Sequence, residues 1–401
     1  MSTRKVLSRR GLVLATVITA LLTLLPFMGF AQQPSSYKWP ATFTISTLGS
    51  GTSDYGLTAA FAAKLQEGTG MLVRVVPQDI SPLRIKHLLA GMCDLGTLST
   101  GTTPDALEGL VNFATRDLGP SQLRTQWVTT TTGNGFMVRG DSKIKTIYDI
   151  KPGTKIAFFS GVPIFQERTD GLLAWVKLDK KDVNFIPVSN WRANTWSVVD
   201  GTADLCVTST ISPATYEAES SPHGIRWLSL PVDKDPEGLK RLLNVVPSSD
   251  FYANKYGPKS SIGITLWRDE NLLLSSDKAD EELIYQLTKW RAENFDSYKN
   301  VHPLLPQTSV ENMRRWMNIT YTPVHKGVIR YFKEIGKWTP VDDAWQNELT
   351  DLLTRYVKAY KVAIEKADST GIKVDNKNSG WLDLWQNYKK ETGLPRFKIR
   401  K

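Results

Sequence analysis

The first hundred residues alternate between strand-like and helix-like patterns of apolar positions. A β-rich run from Ala41 to Leu48 ends in the turn Gly49-Ser50-Gly51-Thr52, and apolar residues then recur at helical spacing from Tyr55 to Leu65. Two more apolar runs, at 73–76 and 94–98, have the length and composition of strands. Strands that alternate with helices are typical of a parallel sheet covered by helices. The pattern therefore predicts an α/β lobe whose strands end at one common edge.

The pattern of this first lobe recurs 110 positions later. Residues 91–100 and 201–210 both fit G-x-x-D-L-x-x-x-S-T, and an ungapped overlay of 43–100 on 153–210 matches at ten of fifty-eight positions. The matches cluster at turns and strand ends, where the backbone restricts the residue type. Self-similarity at a fixed offset indicates duplicated structural units. We therefore predict two related α/β lobes with a cleft between them.

The remaining segments are predicted to connect and extend these lobes. β-prone stretches at 126–132 and 136–138 lie between the repeats and are candidates for a hinge, and 141–151 favours a short connecting helix. Beyond the second repeat, the pattern predicts a strand, a long amphipathic helix and a second strong helix, at Ser261 to Trp267, Ala279 to Tyr298 and 344–366.

These elements suggest five segments. Residues 1–31 form a signal peptide, 32–132 the first part of lobe 1, 133–243 lobe 2, 244–338 a return to lobe 1, and 339–401 a C-terminal helical extension.

The N-terminus has the features of an export signal. Basic residues from Arg4 to Arg10 precede an apolar run from Leu12 to Phe30, and small residues before Gln32 permit cleavage after Ala31. The paired arginines also resemble a twin-arginine signal. The alternative interpretation is an uncleaved membrane anchor, because the apolar run approaches the length needed to span a bilayer. Either interpretation predicts an exported protein in the periplasm.

Composition and charge argue against a nucleic-acid-binding protein. The formal net charge is +10. From residue 32 onward the chain has 46 basic and 40 acidic side chains, which are spread along its length. A nucleic-acid binder concentrates its basic residues on one face or in one block. The two cysteines, Cys93 and Cys206, fall in different copies of the repeat. Export would permit a disulfide, but separate cores favour two buried free thiols.

No catalytic or metal-binding constellation stands out in the sequence. The four histidines are isolated, and there is no H-E-x-x-H, no Cys/His cluster and no G-x-S-x-G. We therefore expect no catalytic residue, no metal and no cofactor. An enzyme that reuses the same fold remains an alternative, and it would need an acid/base pair in the cleft.

What the sequence does offer is a set of small polar residues at the predicted strand ends. Ligands bind outside the carboxyl ends of the strands in open parallel sheets, and a few convergent polar groups suit a small polar or anionic solute. Tyr55, in the first helical turn, is a candidate to cover the ligand, and Arg192 is a candidate to pair with a carboxylate. The strand ends and turns of the two copies contribute Ser50, Thr52, Ser99, Thr100, Ser160, Gly161, Ser209.

Four stretches resemble a known family. Residues 45–65 (ISTLGSGTSDYGLTAAFAAKL), 88–96 (LLAGMCDLG), 144–157 (IKTIYDIKPGTKIA) and 325–336 (HKGVIRYFKEIG) are similar to those of TAXI-family solute receptors of the tripartite ATP-independent periplasmic (TRAP) transporters. The resemblance spans about residues 43–338. It departs from the family pattern at Lys326, which stands in place of the usual proline, and the segment after 338 is longer than in the family.

The resemblance implies a two-lobed periplasmic binding protein of the type II-like, Venus-flytrap class, with a hinge between the lobes. It implies a monomer that captures a carboxylate or amino acid in the cleft and delivers it to TRAP membrane permease subunits. Carried over by position, the ligand shell draws on Ser50, Thr52, Tyr55, Ser99, Thr100, Ser160, Gly161 and Val162. The alternative is a two-lobed periplasmic sensor or scaffold protein that signals to a membrane partner.

Overall fold

The computed structural model describes residues 37–50, 52–159 and 162–400. The predicted signal peptide lies outside these residues. Trp39–Lys401 forms one compact unit. The described strands are β1 (Thr42–Thr47), β2 (Leu72–Pro77), β3 (Leu95–Ser99), β4 (Leu123–Arg139), β5 (Lys155–Phe158), β6 (Asn184–Pro187), β7 (Leu205–Ser209), β8 (Ile225–Leu228), β9 (Phe251–Ala253) and β10 (Thr265–Ser276).

The described α-helices are α1 (Ser53–Thr69), α2 (Ser81–Leu89), α3 (Thr103–Glu108), α4 (Pro163–Trp175), α5 (Trp191–Val199), α6 (Pro213–Glu219), α7 (Pro236–Val245), α8 (Glu281–Glu293), α9 (Phe295–Tyr298), α10 (Val310–Met317), α11 (Lys326–Glu334), α12 (Pro340–Ser369) and α13 (Ser379–Glu391). Within the described part of the chain, no helix is both long enough and apolar enough to cross a bilayer.

The strand order confirms the α/β prediction and its internal duplication. The strands follow the order β2-β1-β3-β10-β4-β7-β5-β6, with β8 paired to β4 and β9 to β10. β1 pairs in parallel with β2 and β3, and β5 pairs in parallel with β6 and β7. The two outer trios are therefore copies of one βαβαβ unit. The antiparallel strands β4 and β10 join them.

Contacts inside the two copies also coincide at the 110-residue offset. Arg84 Nε donates to the Thr97 carbonyl at 2.9 Å, and Asn194 Nδ2 donates to the Val207 carbonyl at 2.8 Å. The repeated glycine of each copy has a positive φ, 70° at Gly91 and 76° at Gly201, a conformation that glycine adopts without the usual steric cost. The sequence repeat is thus a repeat of backbone geometry.

Strands β4 and β10 contribute residues to the hydrophobic cores of both lobes. Lobe 1 is built around a core that draws residues from 43–128 and again from 272–397. Lobe 2 is built around a core that draws residues from 136–267, and a smaller hydrophobic cluster draws residues from 137–266. β4 buries Trp127 in the first core and Phe136 in the second. The predicted hinge segments therefore belong to one continuous strand that runs from one lobe to the other.

Three predicted elements differ from the structure. The segment 141–151 contains only a 3-10 turn at Ile147–Asp149, because the Asp149 carboxylate accepts the N–H groups of Lys145 and Thr146 and closes a tight capping box. The strand predicted at Ser261 to Trp267 starts later, at Thr265, because Gly263 has φ 79° and bends the backbone before it. The helix predicted from Ala279 to Tyr298 is interrupted at Asn294, between α8 and α9.

The C-terminal extension is part of the lobe 1 core. Its two helices bury Tyr360, Trp381 and Trp385. The Trp381 indole donates to the Ala114 carbonyl at 2.9 Å, and the Trp385 indole donates to the Glu108 carbonyl at 3.2 Å. A buried tryptophan usually needs a partner for its N–H, and here the backbone of lobe 1 provides it. Cys93 and Cys206 are buried free thiols, as predicted.

Candidate functional site

A cavity lies between the two lobes and encloses about 810 Å³ of empty space, part of which is open to solvent. Both lobes and both crossing strands contribute to its wall. The lining residues are Leu48, Thr52, Ser53, Asp54, Ser81, Arg84, Thr97, Leu98, Ser99 and Thr102 from lobe 1, Val162, Ile164, Phe165, Trp191, Ser209, Ile211, Ser212 and Pro213 from lobe 2, and Thr132, Asn134, Asp269 and Asn271 from β4 and β10.

The lobes touch directly beside the cavity. Ser53 Oγ, in the first turn of α1, donates to the Ile211 carbonyl of lobe 2 at 2.6 Å. Gly101, after β3, lies so close to α4 that a β carbon there would stand 2.9 Å from Ile164 Cγ1. Contacts this tight across the cleft indicate that the lobes are closed on each other in this structure.

The crossing strands carry polar groups that face the cavity. Thr132 Oγ1 and Ser209 Oγ lie 2.8 Å apart, and Asn134 Nδ2 donates to Asp269 Oδ2 at 2.7 Å. The other oxygen of Asp269 accepts from Arg168 Nη2 at 2.7 Å. Arg168 is buried on α4, and its guanidinium lies over the ring of Trp267. The charge of Asp269 is therefore compensated by an arginine of lobe 2.

Arg84 is the cation on the lobe 1 side of the cavity. Its Nε donates to the Thr97 carbonyl, its Nη1 to the Gln78 carbonyl and its Nη2 to Ser81 Oγ. Burial lowers its pKa to about 10, while Asp54 and Asp79 oppose this shift. The guanidinium stays charged at neutral pH, and each of its three nitrogens already has a partner in the protein.

Asp54 is the acidic residue on the same side. It lies in the first turn of α1, where a negative charge is favoured by the helix dipole. Its Oδ2 accepts from Thr47 Oγ1 at 2.6 Å. Its Oδ1 is buried and has no hydrogen-bond partner among the described residues.

Three hydroxyls of the lobe 1 edge use their protons within the protein. Thr52 caps α1, because its Oγ1 accepts from the Tyr55 N–H at 3.2 Å and donates to the Gly49 carbonyl at 2.8 Å. Ser99 Oγ donates to Thr102 Oγ1 at 3.2 Å, and Ser53 Oγ donates across the cleft as described above. These hydroxyls can accept hydrogen bonds from a solute more readily than they can donate to it.

The structure brings four of the predicted site residues together at the cavity, namely Thr52, Ser99, Val162 and Ser209. Ser160 and Gly161 lie outside the described residues. Four others are absent from the described cavity wall, and they are Ser50, Tyr55, Thr100 and Arg192. Thr100 accepts the Glu270 N–H on its hydroxyl. Arg192 is exposed, pairs with Glu217 and lies over the ring of Trp196.

Sequence reasoning missed the charged and aromatic members of the wall. Asp54 stands two residues after the predicted Thr52, so its position in the first helical turn was a usable signal. Trp191 stands one residue before the predicted Arg192, and it packs against Phe165 with ring centroids 5.0 Å apart. No such signal marked Asp269, because the predicted strand ended at Trp267, whereas the strand in the structure runs from Thr265 to Ser276. Among the described residues, no group of His, Cys, Asp and Glu could hold a metal ion.

Comparison with curated protein sequences gave no match. Among solved structures, the aliphatic sulphonate binding protein SsuA of Escherichia coli is similar at 16% identity and TM-score 0.41, over 79% of this chain and 88% of that chain. A binding protein component of an ABC phosphonate transporter of Pseudomonas aeruginosa is similar at 11% identity and TM-score 0.44, over 81% and 99%. An R. palustris protein with adipate is similar at 14% identity and TM-score 0.46, over 75% and 98%.

A protein-family model matches residues 45–336, which is most of the chain and leaves the C-terminal extension outside the match. The chain belongs to the NMT1-like family.

Proposed function

We propose that the chain is a periplasmic solute-binding receptor that holds one small polar solute, of the carboxylate or amino acid type, between its lobes. One observation carries the proposal: the cavity wall combines residues of both lobes with residues of the two strands that connect them. A ligand in that position contacts each moving part, so its binding energy favours the closed form over the open one.

The chemistry of the wall suits a small polar solute. The wall contains apolar side chains such as Leu98, Phe165 and Trp191 together with hydroxyls and amides. This mixture is typical of ligand sites in which a few polar groups fix the orientation of the bound molecule. The solute is then delivered to a membrane permease, and the resemblance to TAXI-family receptors favours a permease of the TRAP type.

The first test is a thermal-shift screen with carboxylates, amino acids, polyamines and sugars, together with mass spectrometry of solute that copurifies. A ligand at a hundred times its dissociation constant should stabilise the folded protein by about 2.7 kcal/mol. A flat response across the whole panel, with nothing copurifying, would contradict the proposed function.

A matched pair of variants locates the binding. Ile211→Trp fills the cavity from lobe 2, whereas Ile262→Trp places the same side chain at a position that is 49% exposed. We expect the first variant to lose the thermal shift and the second to keep it. A thermal shift that persists in Ile211→Trp would mean that the solute binds outside this cavity.

Delivery is tested separately, by uptake of the identified solute into proteoliposomes that contain a TRAP permease. We expect uptake to require this receptor and an ion gradient. Solute binding without any uptake would leave the receptor role intact and would favour the sensor or scaffold alternative for the next step.

A further inference from the structure

The buried carboxylate of Asp54 has one oxygen that the described protein leaves without a partner. Asp54 is 3% exposed and lines the cavity. Thr47 Oγ1 donates to its Oδ2, and no described residue donates to its Oδ1. Leaving a charged acceptor buried and unsatisfied destabilises a protein by more than a neutral group would. An unpartnered buried acceptor needs an explanation, and because Asp54 lines the cavity, a bound solute is the candidate donor.

Neighbouring cations do not supply that hydrogen bond. Arg84 lines the same side of the cavity, but its three nitrogens donate to Gln78, Ser81 and Thr97. Arg168 donates from Nη2 to Asp269 and is not part of the described cavity wall. Asp54 is therefore the charged residue in the described wall with a free acceptor atom.

The neighbouring hydroxyls also favour a solute that donates. The protons of Thr52 and Ser53 go to the Gly49 and Ile211 carbonyls, so these side chains accept from a ligand more readily than they donate to it. Together with Asp54 they form a corner of the cavity that is rich in acceptors. A purely anionic solute would bring further acceptors to this corner, which is unfavourable in a site of low dielectric.

We propose that the bound solute carries a cationic nitrogen, of the ammonium or amidinium type, which donates to Oδ1 of Asp54. The inference rests on the proposed receptor function and narrows its ligand class from polar or anionic solutes to those with a protonated nitrogen. Ligand binding then satisfies an atom that folding leaves unsatisfied, and the resulting hydrogen bond is charge-assisted on both sides.

The test compares probes that differ in this nitrogen. Isothermal titration of the wild-type protein uses L-leucine against 2-hydroxy-4-methylpentanoate and L-glutamate against 2-hydroxyglutarate, together with every solute found in the screen. We expect at least tenfold tighter binding of the nitrogen-bearing member, as a hydrogen bond between two charged groups provides. Equal or tighter binding of a nitrogen-free solute overturns the inference but leaves the receptor function standing. Absence of binding by every compound contradicts both.

A variant and its matched control separate recognition from folding. Asp54→Asn removes the charge in the cavity, and Asp79→Asn removes the other carboxylate that acts on Arg84 but is exposed and outside the described wall. We expect Asp54→Asn to lower the affinity for the nitrogen-bearing probe at least tenfold and the affinity for its hydroxy analogue less than threefold. Asp79→Asn should change neither affinity. An equal loss for both probes would mean that Asp54 serves only to hold α1. If Asp54→Asn does not fold, the comparison of nitrogen-bearing and nitrogen-free probes on the wild-type protein still tests the inference.

Discussion

Arg168 Nη2 donates to Asp269 Oδ1 at 2.7 Å and ties a helix of lobe 2 to a strand that crosses between the lobes. The two side chains are 2% and 6% exposed. Arg168 Nε and Nη1 have no hydrogen-bond partner among the described residues. The pair is therefore desolvated without being fully hydrogen-bonded, and each charge depends on the other.

Removing the arginine should destabilise the protein strongly, because it leaves the Asp269 charge buried without compensation. We expect Arg168→Leu to lower the free energy of unfolding by about 3–5 kcal/mol, measured by urea denaturation. The control is Arg192→Leu, which breaks an exposed ion pair with Glu217 and should cost less than about 1 kcal/mol. The double variant Arg168→Leu with Asp269→Asn should recover part of the loss. Equal effects of the two single variants would contradict the buried pair's role.

Gly101 should be required for closure of the lobes. A β carbon at this position would lie 2.9 Å from Ile164 Cγ1 and 3.0 Å from Arg168 Nη2, both in lobe 2. Overpacking of this kind costs about 1–3 kcal/mol, and only the closed form bears it. We expect Gly101→Ala to weaken solute binding about tenfold, measured by titration calorimetry.

Gly96 provides the control for this substitution. It lies in β3 of the same lobe, and a β carbon there would stand 3.5 Å or more from its neighbours. Gly96→Ala should keep the wild-type affinity. Unchanged affinity in Gly101→Ala would show that binding does not need the lobe contact seen here.

His325 should make the protein less stable in acid. The residue caps α11, since its Nδ1 accepts from the Gly327 N–H, and its Nε2 therefore carries the proton and faces the Ala279 carbonyl at 3.2 Å. Burial lowers its pKa to about 4; Lys326 and Arg124 lower it further, while Ala279 and Glu281 oppose the shift. A folded-state pKa below the ordinary value of 6.5 stabilises the protein above pH 6.5, and this stability is lost as the pH falls towards 4. The loss amounts to about 3 kcal/mol.

His325→Asn keeps an acceptor at the cap and removes the titration. We expect its urea midpoint to fall less steeply than that of the wild type between pH 6.5 and pH 4. The control His223→Asn alters a histidine with a half-exposed side chain and should change this slope little. A parallel slope in His325→Asn and the wild type would assign the acid sensitivity to other groups.

The C-terminal extension should contribute to the stability of lobe 1. Trp385 is 1% exposed and packs edge-on against Tyr356 and Tyr360. Truncation of a buried tryptophan to alanine typically costs about 3–5 kcal/mol. We expect this loss for Trp385→Ala in urea denaturation, against about 0.5 kcal/mol or less for Val341→Ala, which is 66% exposed at the start of α12. Similar values for the two would mean that the extension is only loosely attached.

The sequence predicted the strand ends well, because a duplicated pattern places equivalent residues at equivalent edges. Thr52, Ser99 and Ser209 reach the cavity for that reason. Arg192 shows the limit of this reasoning. Successive helical residues point about 100° apart, so α5 turns Trp191 to the cavity and Arg192 to solvent. The residue type alone could not choose between the two faces.

The buried charged residues could not be predicted from the sequence, for a different reason. Arg168 and Asp269 pair across 101 positions of the chain, and Arg84 donates to two backbone carbonyls as well as to the nearby Ser81 hydroxyl. Their positions follow no period. The helix of the C-terminal extension was predictable from its apolar spacing, but its docking on lobe 1 depends on indole-to-carbonyl contacts that only the folded chain brings together.

The lobe 1 core draws on residues 43–128 and 272–397, and the lobe 2 core lies between these two segments in the chain. A chain that is made from its N-terminus onward therefore holds an incomplete first core until residues 272–397 are available. Lobe 2 is contiguous and can complete its core earlier. Lobe 2 therefore has all its core residues before lobe 1 does, and lobe 1 is expected to be the slower and more aggregation-prone half.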